Sequence, residues 1–342
     1  IESFAGYSFS KAHSASYAVE SFQSLYLKAH FPNEFHVAVI NNFGGFYQTW
    51  VYFNEARRCG AIIELPCANR SRYKTSLSGN TIYTGFIHIQ NLESTIAQEI
   101  EKERGRLGPF RSMQDFVNRI PAGKEQMLLL IRSGVFRFTG KRKQQLLWES
   151  HMANASAAPQ NNGNTLFETP QKSFTLPELE HSKLEDAYDE IELLGFPISL
   201  SHFDMLEDAV NTTVQKMPHE KHDAYSSGFE TPVAQFRTYT LPEILAPDMQ
   251  NYVGRRVQIL GNLVCIKYVS TIRKEIMYFG TFFDRNGLFF DTVHFPTVAK
   301  KFPFRGYGFY RITGKIVEEF GFASFEAENM EKLPMKKDPR FV

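Results

Sequence analysis

Between Ile131 and Leu147 the sequence reads IRSGVFRFTGKRKQQLL, and its cations and glycines are spaced for holding phosphate. Ser133-Gly134 makes a tight turn after a helix, and Gly140 precedes a second helix that opens on Lys141, Arg142 and Lys143. A short hairpin between helices can aim backbone N–H groups at a phosphate, with the neighbouring cations supplying countercharge. Binding of that kind ignores base sequence, because the phosphates carry none. The same residues would equally suit a helical turn with a solvated basic face. Upstream, FIHIQNLESTIAQEIEKERGRLGPF offers a companion hairpin, with Asn91 and Glu93 at a turn that lacks glycine.

A second pattern lies nearer the C-terminus, where aromatic and basic residues alternate: Lys267, Tyr268, Arg273, Lys274, Tyr278, Phe279, then Phe289 and Phe290. Exposed aromatics stack on bases, and a cationic groove tracks the backbone of a single strand. With 32 Phe in the chain, many aromatics must simply be core. Phe282, Val264 and Ile312 are expected inside, and Lys267, Tyr268, Arg273 and Tyr278 toward a ligand.

Catalytic groups are harder to find. Two-metal chemistry needs carboxylates that converge from a rigid platform. Asp186, Asp189 and Glu190 fall on one acidic helix with no cation in register, and are expected to be a solvated face. Asp284 and Asp291 have no companions. No HxH, HExxH or GxxxxGKS spacing is present. The expectation is a chain with no active site, metal or cofactor of its own.

The elements that would position these residues divide the 342-residue chain. Apolar residues at helical spacing run from Tyr17 through Phe22, Leu25 and Tyr26, with Pro32 opening another helix. Helical patterns return between Leu92 and Glu149. Ala, Asn, Gln and Ser dominate from about 150 to 173, as in a linker. From Val253 five runs rich in β-branched and aromatic residues predict a small closed β-barrel. The fold class is therefore α+β and multidomain, an all-α region followed by a five-stranded barrel. The predicted division is 1–80, helical; 81–150, the hairpin module; 151–175, linker; 176–210, an acidic helical segment; 211–235, linker; 236–342, the barrel.

Charge follows these divisions. Lys and Arg total 38 against 37 Asp and Glu, a net of +1. Yet residues 101–143 carry 11 basic against 4 acidic residues, 176–208 carry 1 against 10, and 254–342 carry 15 against 9. The two basic segments are the ones to expect on phosphate. No apolar run reaches the roughly 18 residues of a membrane span. Three isolated cysteines fit a reducing cytoplasm better than a disulfide scaffold. The chain opens on Ile1 without a signal peptide and reads as a piece of something larger.

Taken together these segments resemble the bacterial DNA polymerase III alpha subunit, the family C polymerases. The opening FAGYSFSKAHSASYAVESFQSLYLKAHFPNEF is similar to the end of that family's fingers, with Ser10 and Ala12 as mild departures. ARRCGAIIELPCANRS, FRSMQDFVNRI and LIRSGVFRFTGKRKQQLL resemble its segments leading into and through a tandem helix-hairpin-helix. EIELLGFPISLSHF and TFFDRNGLFFDTVHFP are similar to its later segments, the second within an OB-fold barrel.

The resemblance implies a DNA-binding and clamp-binding part of a polymerase that works with Mg2+ elsewhere in the parent. It also implies duplex and single-stranded DNA, a sliding clamp and other replisome subunits as partners, and a bacterial cytoplasmic setting. The parent would be of a shorter type, replicative or auxiliary and translesion. Lys11 and His13 would lie near the incoming nucleotide of the intact enzyme. The linker pair Leu166-Phe167, with Asn164, stands where the family places a clamp-plugging peptide, Gly163 replacing its Gln. An apolar pair in a polar linker fits a partner pocket, or a staple folded back on the helices. A free-standing nucleic-acid-binding accessory protein is the alternative, and a native gene with several hundred codons before Ile1 would exclude it.

Overall fold

The computed structural model describes residues 11–156, 182–207, 241–319 and 321–341. Two compact units result: one from the start of the chain to Leu200 together with residues 338–342, the other Ser201–Lys337.

The first unit is helical: α1 (Lys11–His30), α2 (Pro32–Asn41), α3 (Thr49–Arg58), α4 (Ser94–Leu107), α5 (Met113–Arg119), α6 (Lys124–Arg132), α7 (Lys143–Ser156) and α8 (Lys183–Leu194). Between α3 and α4 a small sheet joins β1 (Ile62–Glu64), β2 (Ser76–Ser78) and β3 (Thr81–Tyr83) in the order β1-β3-β2. The sequence dictates the breaks. Pro32 sits at the first turn of α2, where its missing N–H costs nothing. Ser112 caps α5 by accepting the Asp115 N–H, while the Asp115 carboxylate accepts from Arg111. Gly195, at φ 90°, closes α8 in the left-handed conformation that glycine adopts without strain.

One core runs through this unit, with Phe53, Phe86, Ile100, Phe116, Leu130 and Phe136 all buried. Phe116 meets Phe136 edge-on at 4.9 Å, and Phe196 lies 5.1 Å from Phe53. Residues on both sides of position 80, and Phe196 after α8, share that core, so the predicted border there divides continuous packing. The predicted 176–210 segment likewise splits, α8 belonging to the helical unit and Ser201 onward to the other. Helix α1 forms as its spacing predicts, but its apolar residues are exposed, Phe22 by 75%.

The second unit is a closed barrel: β4 (Glu243–Ile244), β5 (Arg256–Ser270), β6 (Ile276–Phe283), β7 (Phe289–His294), α9 (Pro296–Lys301), β8 (Phe309–Glu319) and β9 (Phe322–Lys332). The order β4-β5-β6-β7-β9-β8 closes through a β5–β8 pairing. All five strand-like runs read from the sequence are present, and α9 sits between the third and fourth. Strand β5 serves two neighbours. Its first half pairs with β8 up to Asn262↔Phe309, its second with β6 from Asn262↔Phe283 onward. Phe282, Ile312, Val257 and Phe325 fill the interior, and Val264 is buried, as expected for Phe282, Ile312 and Val264.

Closure brings backbones close together. A Cβ on Gly314 would lie 2.0 Å from the Glu326 carbonyl oxygen, at the register shift between β8 and β9. Gly314→Ala should therefore loosen that ladder by about 1–3 kcal/mol, as overpacking does. Faster amide exchange in β8 and β9 would show it. Fluorescence of the two tryptophans, Trp50 and Trp148 in the helical unit, should be unmoved.

Candidate nucleic-acid interface

The second hairpin is built from the end of α6. Gly134, at φ 79°, lets the chain reverse, and the Val135 N–H returns to the Leu130 carbonyl. Ser133 is buried and spends its hydroxyl on the Leu129 carbonyl at 2.8 Å. Ser133 and Gly134, expected at a phosphate, are both buried and shape the turn instead. Arg137 folds back, giving Nη1 to the Gly134 carbonyl at 2.9 Å and Nη2 to Glu64 Oε2 at 3.2 Å. After Gly140, at φ 70°, Gln145 Oε1 accepts the Arg142 N–H at 3.1 Å and α7 begins. The first-turn N–H groups of α7 have no carbonyl four residues back, and that end of the helix favours an anion.

The three cations predicted to touch phosphate have different surroundings. Lys141 is exposed and reaches Glu149 Oε1 at 2.5 Å. Arg142 is exposed. Lys143 points inward, its Nζ 2.8 Å from Asp186 Oδ1 and 3.3 Å from Asp189 Oδ2. The expected solvated acidic helix is therefore corrected. Asp189 is 6% exposed and gathers Arg132, Lys143 and Arg340. Glu190 is buried and accepts the backbone N–H groups of Ile198 and Ser199 at 2.5 and 2.9 Å. The hydrogen bond from Arg132 also holds the Glu192 carboxyl below its usual range. These cations come from α6, α7 and the last residues of the chain, too far away in sequence for a register argument to find.

In the first hairpin Asn91 takes the left-handed conformation, φ 62°, that glycine usually supplies, which Asn tolerates better than most residues. Its turn is occupied by protein. The Gln90 N–H donates to the Leu193 carbonyl at 2.8 Å, and Gln126 accepts from Glu93 while donating to the Asn91 carbonyl.

On the barrel, parity along the strands separates the aromatics. Tyr278 pairs with Tyr268 across the ladder, their rings 5.0 Å apart edge-on. Tyr278 is half-buried, 5.7 Å from Phe304 at the barrel mouth, whereas Tyr268 is 63% exposed. Phe279, on the opposite face, is 38% exposed and lies across from Lys267, which is exposed as expected. Arg273 is exposed in the turn between β5 and β6. Phe279 is an exposed aromatic on this ladder that the sequence placed in the pattern but not among the ligand-facing residues. Phe279 alternates with Gly280, which points inward toward Phe282 and Phe304, so Phe279 faces outward. His294, buried beneath the mouth against Phe304, is pushed down to about 4 by burial and stays neutral at physiological pH, adding no countercharge.

Of the remaining predicted residues, His13 is exposed on α1 with its ring 4.6 Å from Tyr17, and Lys11 is the first residue of that helix. Asn164, Leu166 and Phe167 lie outside the described residues.

With this geometry, comparison with known proteins is informative. Residues 60–146 match the helix-hairpin-helix motif, a span that holds both hairpins. The chain is 32% identical over 203 residues to the DNA polymerase III subunit alpha of Aquifex aeolicus, covering 58% of this chain and 17% of that protein. It is 33% identical over 150 residues to the subunit of the same name from Thermus aquaticus, covering 43% and 12%. Over these spans the chain is similar to a segment of the DNA polymerase III alpha subunit. It spans less than a fifth of the length of these relatives. Among solved structures, replication protein A of U. maydis bound to ssDNA is similar over 28% of this chain and 74% of its own, at 20% identity and a TM-score of 0.20. The OB-type assignment of the barrel rests on its own strand order, not on that likeness.

The separate surroundings of these residues imply separate effects of substitution. Replacing Lys141 and Arg142 with Ala should flatten the dependence of log duplex affinity on log salt, by about 0.9 for each phosphate they neutralise. An unchanged slope would make them a solvated face. Lys143→Met should instead lower the melting temperature of the helical unit, because it leaves Asp189 with one cation fewer. On the barrel, Tyr268→Ala and Phe279→Ala should each cost roughly 1–3 kcal/mol of single-strand affinity if a base stacks there. Tyr278→Ala should cost mainly fold stability. Titrations of labelled oligonucleotides beside thermal melts separate these outcomes.

Proposed function

We propose that this chain is the DNA-holding part of a bacterial family C DNA polymerase. In this reading the hairpin module rests on duplex phosphates and the OB-type barrel on single strand beside it. The observation that carries it is the combination, in one chain similar to the alpha subunit, of a helix-hairpin-helix span and a five-stranded barrel with exposed aromatic and cationic residues. The intact parent would add nucleotides to a primer end with Mg2+. Among the described residues no group of three or more His, Cys, Asp or Glu could hold a metal ion, so no step of that chemistry is assigned to them. The parent is taken as an alpha subunit, replicative or translesion, acting in the cytoplasm with other replisome subunits. No helix among the described residues is long and apolar enough to cross a membrane.

Clamp binding belongs to the same reading. Its support is sequence alone: the Leu166-Phe167 pair in a polar stretch, at the place where the resemblance sets a clamp peptide. A partner pocket would cover that apolar surface.

The test is binding to three probes of equal length: duplex, single strand and a primed template. Two linked modules that engage one ligand raise overall affinity through effective concentration. The primed template should therefore bind more tightly than either simple form. Equal affinity for all three would defeat the two-module reading. Primer extension with magnesium or manganese should not exceed a buffer control, and incorporation above it would place an active site in this chain. Titration with the cognate clamp should lose its signal in the Leu166→Ala, Phe167→Ala double variant; equal binding by both would reject the peptide.

A further inference from the structure

Strands β5 and β6 continue past the barrel. The β5–β8 ladder ends at Asn262↔Phe309 and the β6–β7 ladder at Tyr278↔His294, but β5 and β6 go on pairing to Ser270↔Ile276. The result is a two-stranded ribbon. Its turn is well defined: the Thr271 N–H donates to the Glu275 carbonyl and the Lys274 N–H to the Thr271 carbonyl, both at 2.8 Å. The Thr271 hydroxyl accepts from the Glu275 N–H at 3.2 Å. Lys274 takes the left-handed conformation, φ 61°, at a position where glycine or asparagine is the usual residue.

This turn places Ile272 and Arg273 at the apex. Ile272 is fully exposed at 105%, and Ile276 and Tyr268 on one ribbon face are exposed by 56% and 63%. An isolated exposed apolar residue needs no explanation, but three together on a projecting ribbon make a patch. Arg273 and Lys274 lie beside them in the turn and Lys267 on the other face of the ribbon, against Glu275 as the acidic residue between Lys267 and Met277. An apolar tip between cations is complementary to a nucleic-acid base step, apolar inside and anionic outside. Side chains of that kind enter base stacks as wedges.

We infer that the ribbon is a wedge for the junction between duplex and single strand. Ile272 packs against the last base pair, Arg273 and Lys274 meet the flanking phosphates, and Tyr268 stacks on the first unpaired base. This rests on the reading of the barrel as a DNA-binding unit and specifies which DNA structure it recognises.

The experiment uses the whole chain and a primed template with 2-aminopurine in the last base pair before the junction. Binding should raise the 2-aminopurine fluorescence through unstacking, and Ile272→Leu should preserve the rise. Ile272→Ser should abolish it and reduce the preference for junction over plain single strand by about tenfold, while single-strand affinity stays unchanged. Because the Ile272 side chain lies wholly in solvent, thermal melts of both variants should match the parent. If the parent binds single strand without a fluorescence rise, the wedge is overturned and the DNA-binding barrel stands. If Ile272→Ser keeps both the rise and the preference, the wedge is overturned and the tip is left to a protein partner. Absence of binding to any of the DNAs would overturn the barrel reading itself.

Discussion

The carboxylate of Asp189 organises the helical unit. A charge so deeply buried is tolerated only when paired, and removing one partner of such a group costs more than the pair contributes. Asp189 faces Arg132 from α6, Lys143 from α7 and Arg340 from the last residues of the chain. Two consecutive helices and the distant end of the chain are thereby fixed around α8. Glu190 extends the constraint by capping the turn at Ile198–Ser199, whose Ile198 carbonyl also accepts from Arg57 at 2.8 Å. The burial that makes the cluster cohesive also lowers the pKa of the Arg57 guanidinium.

This constraint bears on DNA binding. The basic segment 101–143 and the acidic segment 176–208 meet at this cluster through Arg132 and Lys143. Arg132 and Lys143 are committed to the fold there. Around the second hairpin the Ser133-Gly134 turn is buried, and the surface there is the start of α7 with the exposed Lys141, which reaches Glu149, and Arg142. The first hairpin has the right turn conformation through Asn91, but Gln126 and the Leu193 carbonyl take up its polar groups. The two copies share a shape and differ in what that shape holds, so the proposed duplex contact would be asymmetric.

In the barrel the governing constraint is closure. Closing the barrel places glycines where backbones or rings approach. A Cβ on Gly261 would meet Phe290 at 2.7 Å, and one on Gly314 would meet the β9 backbone. Closure also decides which aromatics are usable. Inside the closed portion, alternate residues are core. Past its rim, the face that carries Tyr278 becomes the exposed face of the ribbon that carries Tyr268 and Ile276. The same parity that builds the core therefore supplies the exposed residues of the ribbon once the neighbouring strands stop.

Much of the fold was legible in the sequence because its signals are local. Helical spacing, Pro32, Gly195 and the five β-rich runs each act within a few residues, and the resemblance to the alpha subunit rests on contiguous motifs. The glycines of the second hairpin could be placed for the same reason. Tertiary structure alone decided the rest. Whether α8 was a solvated face or a buried ion-pair partner depended on cations about 46 to 151 positions away, which no periodicity reports. Likewise, alternation along β6 separated Tyr278 from Phe279. Which parity faced inward was settled by the register with β7, since a shift of one residue exchanges the two faces.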